Sequence, residues 1–229
     1  MRPRWGGTTL ILVPTELERA RLADQGGFPP GTGLVATIGF GAVAAAARTS
    51  ALLAELTPSR VVLVGIAGTF DAARLPVGSA TEFDAVAIEG IGVGEGERLV
   101  APPALGFPQW PGASAKAAIH DRLLLTPFAP RAGAARLLLT TCAASDSAAH
   151  AERRRARAEA ARADVLEADV LLAEDMEGFG VALACALADT PLAIVRGISN
   201  VVGDRDPAHW RIPSALSAAR ELALAQLSR

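Results

Sequence analysis

Short runs of aliphatic and β-branched residues alternate with longer alanine-rich segments along nearly the whole chain. Runs such as Thr8–Val13 and Arg60–Gly65 have the length of buried strands, whereas Gly41–Leu56 has the length and composition of a helix. Alternation of this kind favours a sheet whose strands are connected by helices. Residues 1–229 suit one α/β domain, and we expect a three-layer fold with a central mixed β-sheet flanked by helices.

The same patterns predict the individual elements and the edge of the sheet at which a site should lie. The predicted strands are Thr8–Val13, Leu34–Ile38, Arg60–Gly65, Thr81–Ile88, Arg136–Thr141 and Leu192–Ile198. The predicted helices are a short one from Glu16, then Gly41–Leu56, Ala148–Ala163, Glu177–Ala188 and Pro213–Leu227, with a Gly- and Pro-rich loop at Gly90–Gly112. In such folds ligands bind past the carboxyl ends of strands, so the loops after the strands are the candidates.

The charge balance argues against nucleic acid and membranes as partners. The formal net charge is -2, and no basic surplus is present. The arginines at 153, 154, 155 and 157 are offset by Glu152, Glu159 and Asp164, which predicts a solvated helix face. The apolar run after the basic start Met1–Trp5 is too short for a signal segment, and no run reaches the ~20 apolar residues of a membrane span. We therefore expect a cytoplasmic protein.

The cysteines and histidines give no sign of a metal site. Cys142 and Cys185 lie in apolar runs and are predicted to be buried free thiols. His120, His150 and His209 are too scattered to suggest zinc binding. We expect neither a metal nor an organic cofactor.

One segment matches a dinucleotide-binding fingerprint but lacks its partner. Gly39–Ala44 has the G-x-G-x-x-A pattern between a predicted strand and helix. The next strand should then end in an acid that holds a ribose hydroxyl, yet Val64–Gly68 contains none. A nicotinamide or flavin enzyme is disfavoured, and a tight turn is the simpler interpretation.

Three groups of polar residues stand near strand ends or helix starts. They are Glu16 with Glu18, then Asp175–Gly178, and finally Arg196–Asn200 followed by Val201–Asp206. Each has an ordinary explanation alone: acids favoured by a helix dipole, an N-cap at Asp175, and a turn at Ser199–Asn200.

Taken together, these groups resemble the superfamily of nucleoside phosphorylases and nucleosidases, which includes methylthioadenosine/adenosylhomocysteine nucleosidases. Val64–Gly68 looks like the glycine-rich loop of that superfamily. Arg196–Asn200 with Gly203–Asp206, and the opening Val13–Glu18, are most similar to futalosine hydrolases. The resemblance implies hydrolysis of the N-glycosidic bond of futalosine, releasing hypoxanthine and dehypoxanthine futalosine in menaquinone biosynthesis. It also implies a homodimer.

The resemblance carries specific roles to two carboxylates. Glu177 matches the glutamate that binds the ribose hydroxyls, and Met176 would form an apolar wall beside the sugar. Glu18 matches the glutamate that activates water, with Glu16 as the nearby competitor. A carboxylate at this position favours water over phosphate as the nucleophile, because two anions repel.

Asn200 stands where the adenine-specific nucleosidases have Asp. An amide can donate to the carbonyl of a 6-oxopurine and accept from its protonated N7, so Asn200 favours hypoxanthine or guanine. Ser199 would orient Asn200 or touch the base. Because an amide does not titrate, the proton for the leaving base would come through water, Asp204 or Asp206.

The remaining contacts are assigned only by position. Ala67, Gly68, Cys142 and Ser145 follow strands where the superfamily contacts its substrate. The aromatic that stacks on the purine stays open among Phe107, Trp110 and Phe179. Futalosine carries a carboxyphenyl ketone arm beyond C5′, which the loop Gly90–Gly112 would enclose, and no motif identifies the cation for its carboxylate.

Two alternatives remain open at this point. A 6-oxopurine nucleoside phosphorylase would share Glu177 and Asn200 but would need phosphate. A non-catalytic nucleoside-binding protein would keep the pocket without the reaction, which a fold alone does not exclude.

Overall fold

The chain alternates strands and helices as its hydrophobic pattern predicts. The computed structural model describes residues 7–94, 96–113, 116–128, 133–161 and 169–228. Its strands are β1 (Thr9–Val13), β2 (Leu34–Thr37), β3 (Arg60–Thr69), β4 (Ala80–Glu82), β5 (Ala85–Glu89), β6 (Arg122–Leu124), β7 (Ala135–Thr141), β8 (Val170–Asp175) and β9 (Leu192–Val201). Its α-helices are α1 (Glu16–Asp24), α2 (Ala42–Leu56), α3 (Pro102–Leu105), α4 (Ala148–Ala161), α5 (Gly178–Leu187) and α6 (Ile212–Leu227).

The sheet is mixed and consists of two parallel groups that meet at one point. β2, β1, β3 and β9 run parallel, and β8, β7 and β5 form a second parallel group. The last residues of β3 and β8 pair antiparallel, with Gly68 opposite Glu174. The carboxyl ends of both groups therefore face each other, which brings residues at or after the ends of six different strands towards one region.

Alternating side chains on the strands build the layers on both faces. Leu10 and Leu12 of β1 join a core with α2 and α5, whereas Ile11 and Val13 join a second core with α6. A third cluster packs α4 against β5, β7 and β8. The expected three-layer α/β fold is confirmed.

The structure corrects several predicted boundaries. The predicted strand Thr81–Ile88 is two strands, because β4 pairs with β9 whereas β5 pairs with β6 and β7. Strands β6 and β8 were not predicted, although β8 carries the buried run Val170–Ala173. The end of the predicted helix Ala148–Ala163 lies outside the described residues, as do Asp164 and the start Met1–Trp5.

Two burial predictions are also wrong. Cys142 is exposed, because it lies in the turn after β7, whereas Cys185 is buried as expected. Arg154 is only 7% exposed, since α4 turns it towards the sheet instead of the solvent. Among the described residues, no helix combines the length and apolar character that crossing a bilayer needs.

Candidate active site

A cavity of about 390 Å³ lies where the two groups of strands meet. This volume is within the range of small-molecule sites. Its lining comes from the ends of β3, β8 and β9 and from the segments that follow β1, β2, β7, β8 and β9. The lining residues predicted from sequence are Glu18, Ala67, Gly68, Ser145, Met176, Glu177, Ser199 and Asn200.

Glu18 is held in the cavity wall by the start of α1. Its Oε2 accepts hydrogen bonds from the backbone N–H and the hydroxyl of Thr15, at 3.0 and 2.6 Å. Thr15 Oγ1 in turn accepts from the Glu18 N–H, which completes a capping box. Glu18 Oε1 accepts from the Ile66 N–H at 3.0 Å. Glu16 is exposed and pairs with Arg19 on the surface, so Glu18 is the acid that lines the cavity.

Glu177 is fixed at the start of α5 by a glycine of the fingerprint segment. The Gly41 N–H donates to Glu177 Oε1 at 3.1 Å, and Gly41 has a φ of 86°, which favours glycine. Burial is the main cause that raises the pKa of Glu177 to about 7, and the nearby Asp175 carboxylate adds to it. The fingerprint segment therefore serves to position this acid.

Arg196 of β9 is fully buried between carboxylates. Its Nη2 pairs with Asp175 Oδ2 and lies 3.6 Å from Glu177 Oε2. Asp175 also accepts from Thr140 Oγ1 and from the Gly178 N–H, at 2.7 and 2.8 Å. A Cβ on Gly65 would overlap the Arg196 guanidinium, so glycine is required there. We call Glu18, Asp175, Glu177 and Arg196 the acid-rich cluster, because three carboxylates surround one guanidinium.

Asn200 and Ser199 form a hydrogen-bonded pair at the end of β9. Ser199 Oγ donates to Asn200 Oδ1 at 2.7 Å and lies 3.3 Å from the Ala67 carbonyl oxygen. Asn200 Nδ2 donates to the Val201 carbonyl at 2.9 Å. The pairing of β3 with β9 shifts between Ala67 and Gly68, and such bulges are common beside functional sites. Ser199 thus orients the Asn200 amide.

A second network, largely buried, holds Ser145 and Glu174 of the cavity lining. Ser145 donates through its N–H and hydroxyl to Glu174, at 2.9 and 2.8 Å. Arg154 pairs with Glu174 at 2.9 Å and with Glu89 at 2.7 Å, and Arg157 also pairs with Glu89. We call Glu89, Arg154, Arg157 and Glu174 the balanced cluster, because two guanidinium groups meet two carboxylates.

Several predicted candidates are not brought to the cavity. Cys142 does not line it, and neither do the described residues of Gly90–Gly112. Phe107 is 75% exposed, whereas Phe179 is buried in the core. Asp204 is engaged by the Asp206 N–H and the His209 ring, which lower its pKa, so it holds no proton to donate near neutral pH.

The structure adds four residues that the sequence did not reveal as functional. Phe40 and Trp210 are the aromatic side chains of the described cavity lining, and Arg205 is its cation. Arg196 and Arg205 both lie within strings that carried the resemblance, Arg196–Asn200 and Gly203–Asp206, but neither was assigned a role from the sequence. The role of Arg196 depends on partners that lie elsewhere in the sequence. A lone arginine inside an otherwise apolar strand was the available signal.

The fold and the cavity define an α/β protein with a carboxylate-rich, small-molecule site at the carboxyl ends of its strands. Residues 30–228 match the family model described as the phosphorylase superfamily, and the chain belongs to that superfamily. The resemblance inferred from the polar motifs is therefore confirmed.

Known proteins with similar sequences or folds agree with this family assignment. A futalosine hydrolase of Streptomyces coelicolor is 36% identical over 159 residues, which are 69% of this chain and 60% of the relative. The match thus spans less than two thirds of that protein. A methylthioadenosine/adenosylhomocysteine nucleosidase of Colwellia psychrerythraea, solved with adenine, superposes with a TM-score of 0.71 at 22% identity, covering 97% of this chain and 95% of its own. A futalosine hydrolase of Helicobacter pylori gives 0.65 at 15% identity, covering 97% of each chain.

Proposed function

We propose that this chain is a purine nucleosidase that hydrolyses the N-glycosidic bond of futalosine, releasing hypoxanthine and dehypoxanthine futalosine in menaquinone biosynthesis. The observation that carries the proposal is that Glu18, Glu177 and the pair Ser199–Asn200 line one cavity. The 36% identity to a futalosine hydrolase supports futalosine as the substrate.

Glu177 binds the ribose through its 2′- and 3′-hydroxyls, with Met176 as an apolar wall. Cleavage of the C1′–N9 bond places positive charge on the sugar, so hydrogen bonds to an ionised carboxylate strengthen towards the transition state. The pKa of Glu177 is raised to about 7, so near neutral pH the acid is present in both its protonated and its ionised form. The positive charge that develops on the sugar favours the ionised form. This interaction is therefore stronger in the transition state than in the ground state.

Glu18 accepts a proton from the water that attacks C1′ as the C1′–N9 bond breaks. The purine leaves with the electron pair of that bond and takes its proton through water. The Ile66 N–H and the Thr15 groups hold its two oxygens in one orientation. The acid-rich cluster carries three carboxylates against one guanidinium, and a phosphate anion would be repelled from it. These charges support hydrolysis over phosphorolysis.

Asn200 recognises the 6-oxopurine, and Ala67, Gly68 and Ser145 complete the surroundings of the substrate. The Ser199 hydroxyl fixes Oδ1 of the amide, which leaves an N–H free to donate to the purine carbonyl. Phe40 or Trp210 supplies the aromatic contact, since both line the cavity.

We also propose a cytoplasmic homodimer. Both cysteines are free thiols, which is their usual state in a reducing compartment. Phe40 and Val43, three residues apart around the start of α2, are 67% and 85% exposed, and we take them as the candidate contact with a second copy. Light scattering after size exclusion is expected to give twice the mass of the chain.

Arg205 gives the phosphorylase alternative some support, because it is a cation in the cavity lining. The test is an incubation of the purified protein with futalosine in phosphate-free buffer, with hypoxanthine measured by chromatography and inosine and methylthioadenosine in parallel. Hypoxanthine from futalosine without phosphate is the expected result. Inosine cleavage that requires phosphate would identify a phosphorylase, and adenine from methylthioadenosine would contradict the role of Asn200. Tight nucleoside binding with no product would identify a binding protein.

A further inference from the structure

Arg205 and Trp210 form an unusual pair at the cavity. Both follow β9 and line the cavity, and the Arg205 guanidinium carbon lies 5.0 Å from the centre of the Trp210 ring. Stacking of this kind holds the planar guanidinium over the ring while its N–H groups stay available at the edges. The pair is thus a preformed donor beside an aromatic surface.

The two acids that flank Arg205 in the sequence do not neutralise it. Asp204 pairs with the His209 ring at 2.8 Å, and its carbonyl accepts from Trp210 Nε1 at 3.1 Å. Asp206 accepts from the Ala208 N–H at 2.9 Å. Within the described part of the chain, Arg205 has no carboxylate partner. Its charge is therefore available to a ligand.

The rest of the cavity lining differs from Arg205 in charge. Its acids are Glu18, Glu174, Asp175 and Glu177, and these repel an anionic group. Arg205 attracts such a group, and Leu17 and Ile212 provide apolar lining for a flat, uncharged stretch of ligand. A nucleoside that carries an anionic group would find its cation at Arg205 and would be repelled by the four acids, so the anionic group is expected to lie beside Arg205.

We propose that Arg205 and Trp210 form the subsite for the carboxylate-terminated aromatic arm of the substrate. The proposal rests on the proposed function, since it assigns an end of the same cavity. The guanidinium edge binds the carboxylate in a two-pronged contact, and the indole ring packs along the aryl group. Arg205 is then a specificity-determining residue that selects nucleosides with an acidic extension beyond C5′.

The test compares futalosine with its methyl ester, which removes the charge and adds one methyl group. We expect the wild-type protein to prefer the acid by about tenfold in kcat/KM, which is the size of one partly exposed charge-assisted contact. Arg205→Gln is expected to remove this preference, and Arg205→Lys to retain part of it. Arg19→Gln, which removes an exposed arginine outside the cavity lining, is the matched control and should keep the preference.

Calorimetric binding of the same two compounds separates the subsite from the reaction. A protein that cleaves no nucleoside, yet binds the acid about tenfold more tightly through Arg205, would reject the proposed function and uphold the subsite. Equal kcat/KM and equal affinity of the wild-type protein for the acid and the ester would overturn the subsite. An Arg205→Gln variant that still prefers the acid as strongly as the wild type would also overturn it. Phosphate-stimulated inosine cleavage that Arg205→Gln abolishes would assign the cation to inorganic phosphate and also overturn it.

Discussion

Two neighbouring residues of β8, Glu174 and Asp175, belong to buried charge clusters of opposite design. In the balanced cluster, Glu174 and Glu89 are matched by Arg154 and Arg157. In the acid-rich cluster, Asp175, Glu177 and Glu18 share the single Arg196. One network is neutral overall, whereas the other keeps an excess of negative charge beside the cavity.

The two clusters separate charge that stabilises the fold from charge that acts on a ligand. Buried carboxylates without matching cations are costly, and the raised pKa of Glu177 reflects that cost. Perturbed acids of this kind concentrate at functional sites. We infer that the acid-rich cluster is retained for what it does to a ligand, and that the balanced cluster holds α4 against the sheet.

The greatest loss of kcat/KM is expected when one carboxylate of the acid-rich cluster is replaced by an uncharged group. Glu18→Gln should lower kcat/KM for futalosine by about 10²–10⁴-fold, the usual contribution of a general base. Gln can serve in the same capping position, so the start of α1 should stay intact. Steady-state kinetics and the helical circular dichroism signal check both statements. Activity within threefold of wild type would remove Glu18 from the reaction.

The next effect comes from removing the cation of the acid-rich cluster. Arg196→Met leaves Asp175 and Glu177 buried without their partner and should lower the free energy of unfolding by about 3–5 kcal/mol. Arg196→Lys keeps the charge and is expected to recover part of that loss. Urea unfolding of both variants is the measurement. Equal stability of Arg196→Met and wild type would show that the guanidinium does not stabilise the carboxylates.

A smaller effect is expected from pH. In the proposed mechanism Glu177 is an ionised acceptor, and its folded pKa is about 7, so kcat/KM should rise about tenfold from pH 6 to pH 8. The direction follows because an acid with a raised pKa loses its proton only as the pH passes that value. The matched comparison is Glu89→Gln, which should show the same rise, whereas Glu177→Gln should lack it. A flat wild-type profile would contradict the ionised acceptor.

Much of the fold could be predicted, because the apolar runs of β1, β3 and β9 and the alanine-rich α2 have the lengths that their structures require. β8 was missed although its apolar run was visible, since three acids follow within the next few residues and suggested a helix start. The division between β4 and β5 could not be read from sequence, because it depends on which neighbour each strand pairs with.

The site could be predicted only where a motif carried it. Glu18, Glu177 and Asn200 were identified by resemblance, and the structure brings all three to one cavity. Arg154 and Arg205 were missed because helix composition does not reveal which face packs inward, and a loop sequence does not reveal which charges stay unpaired. Such facts arise from contacts between distant segments.

The decisive experiment makes the same Glu→Gln substitution in each cluster and measures kcat/KM and urea unfolding at pH 8. Glu177→Gln should lower kcat/KM by about 10²–10³-fold, as for loss of one transition-state contact. Its stability should be equal to or above that of wild type, because a carboxyl with a pKa raised from 4.5 to about 7 opposes folding increasingly as the pH rises through that window. Glu89→Gln should lose about 3 kcal/mol of stability and keep kcat/KM within about threefold. Loss of activity in Glu89→Gln, or near-normal activity in Glu177→Gln, would contradict the account.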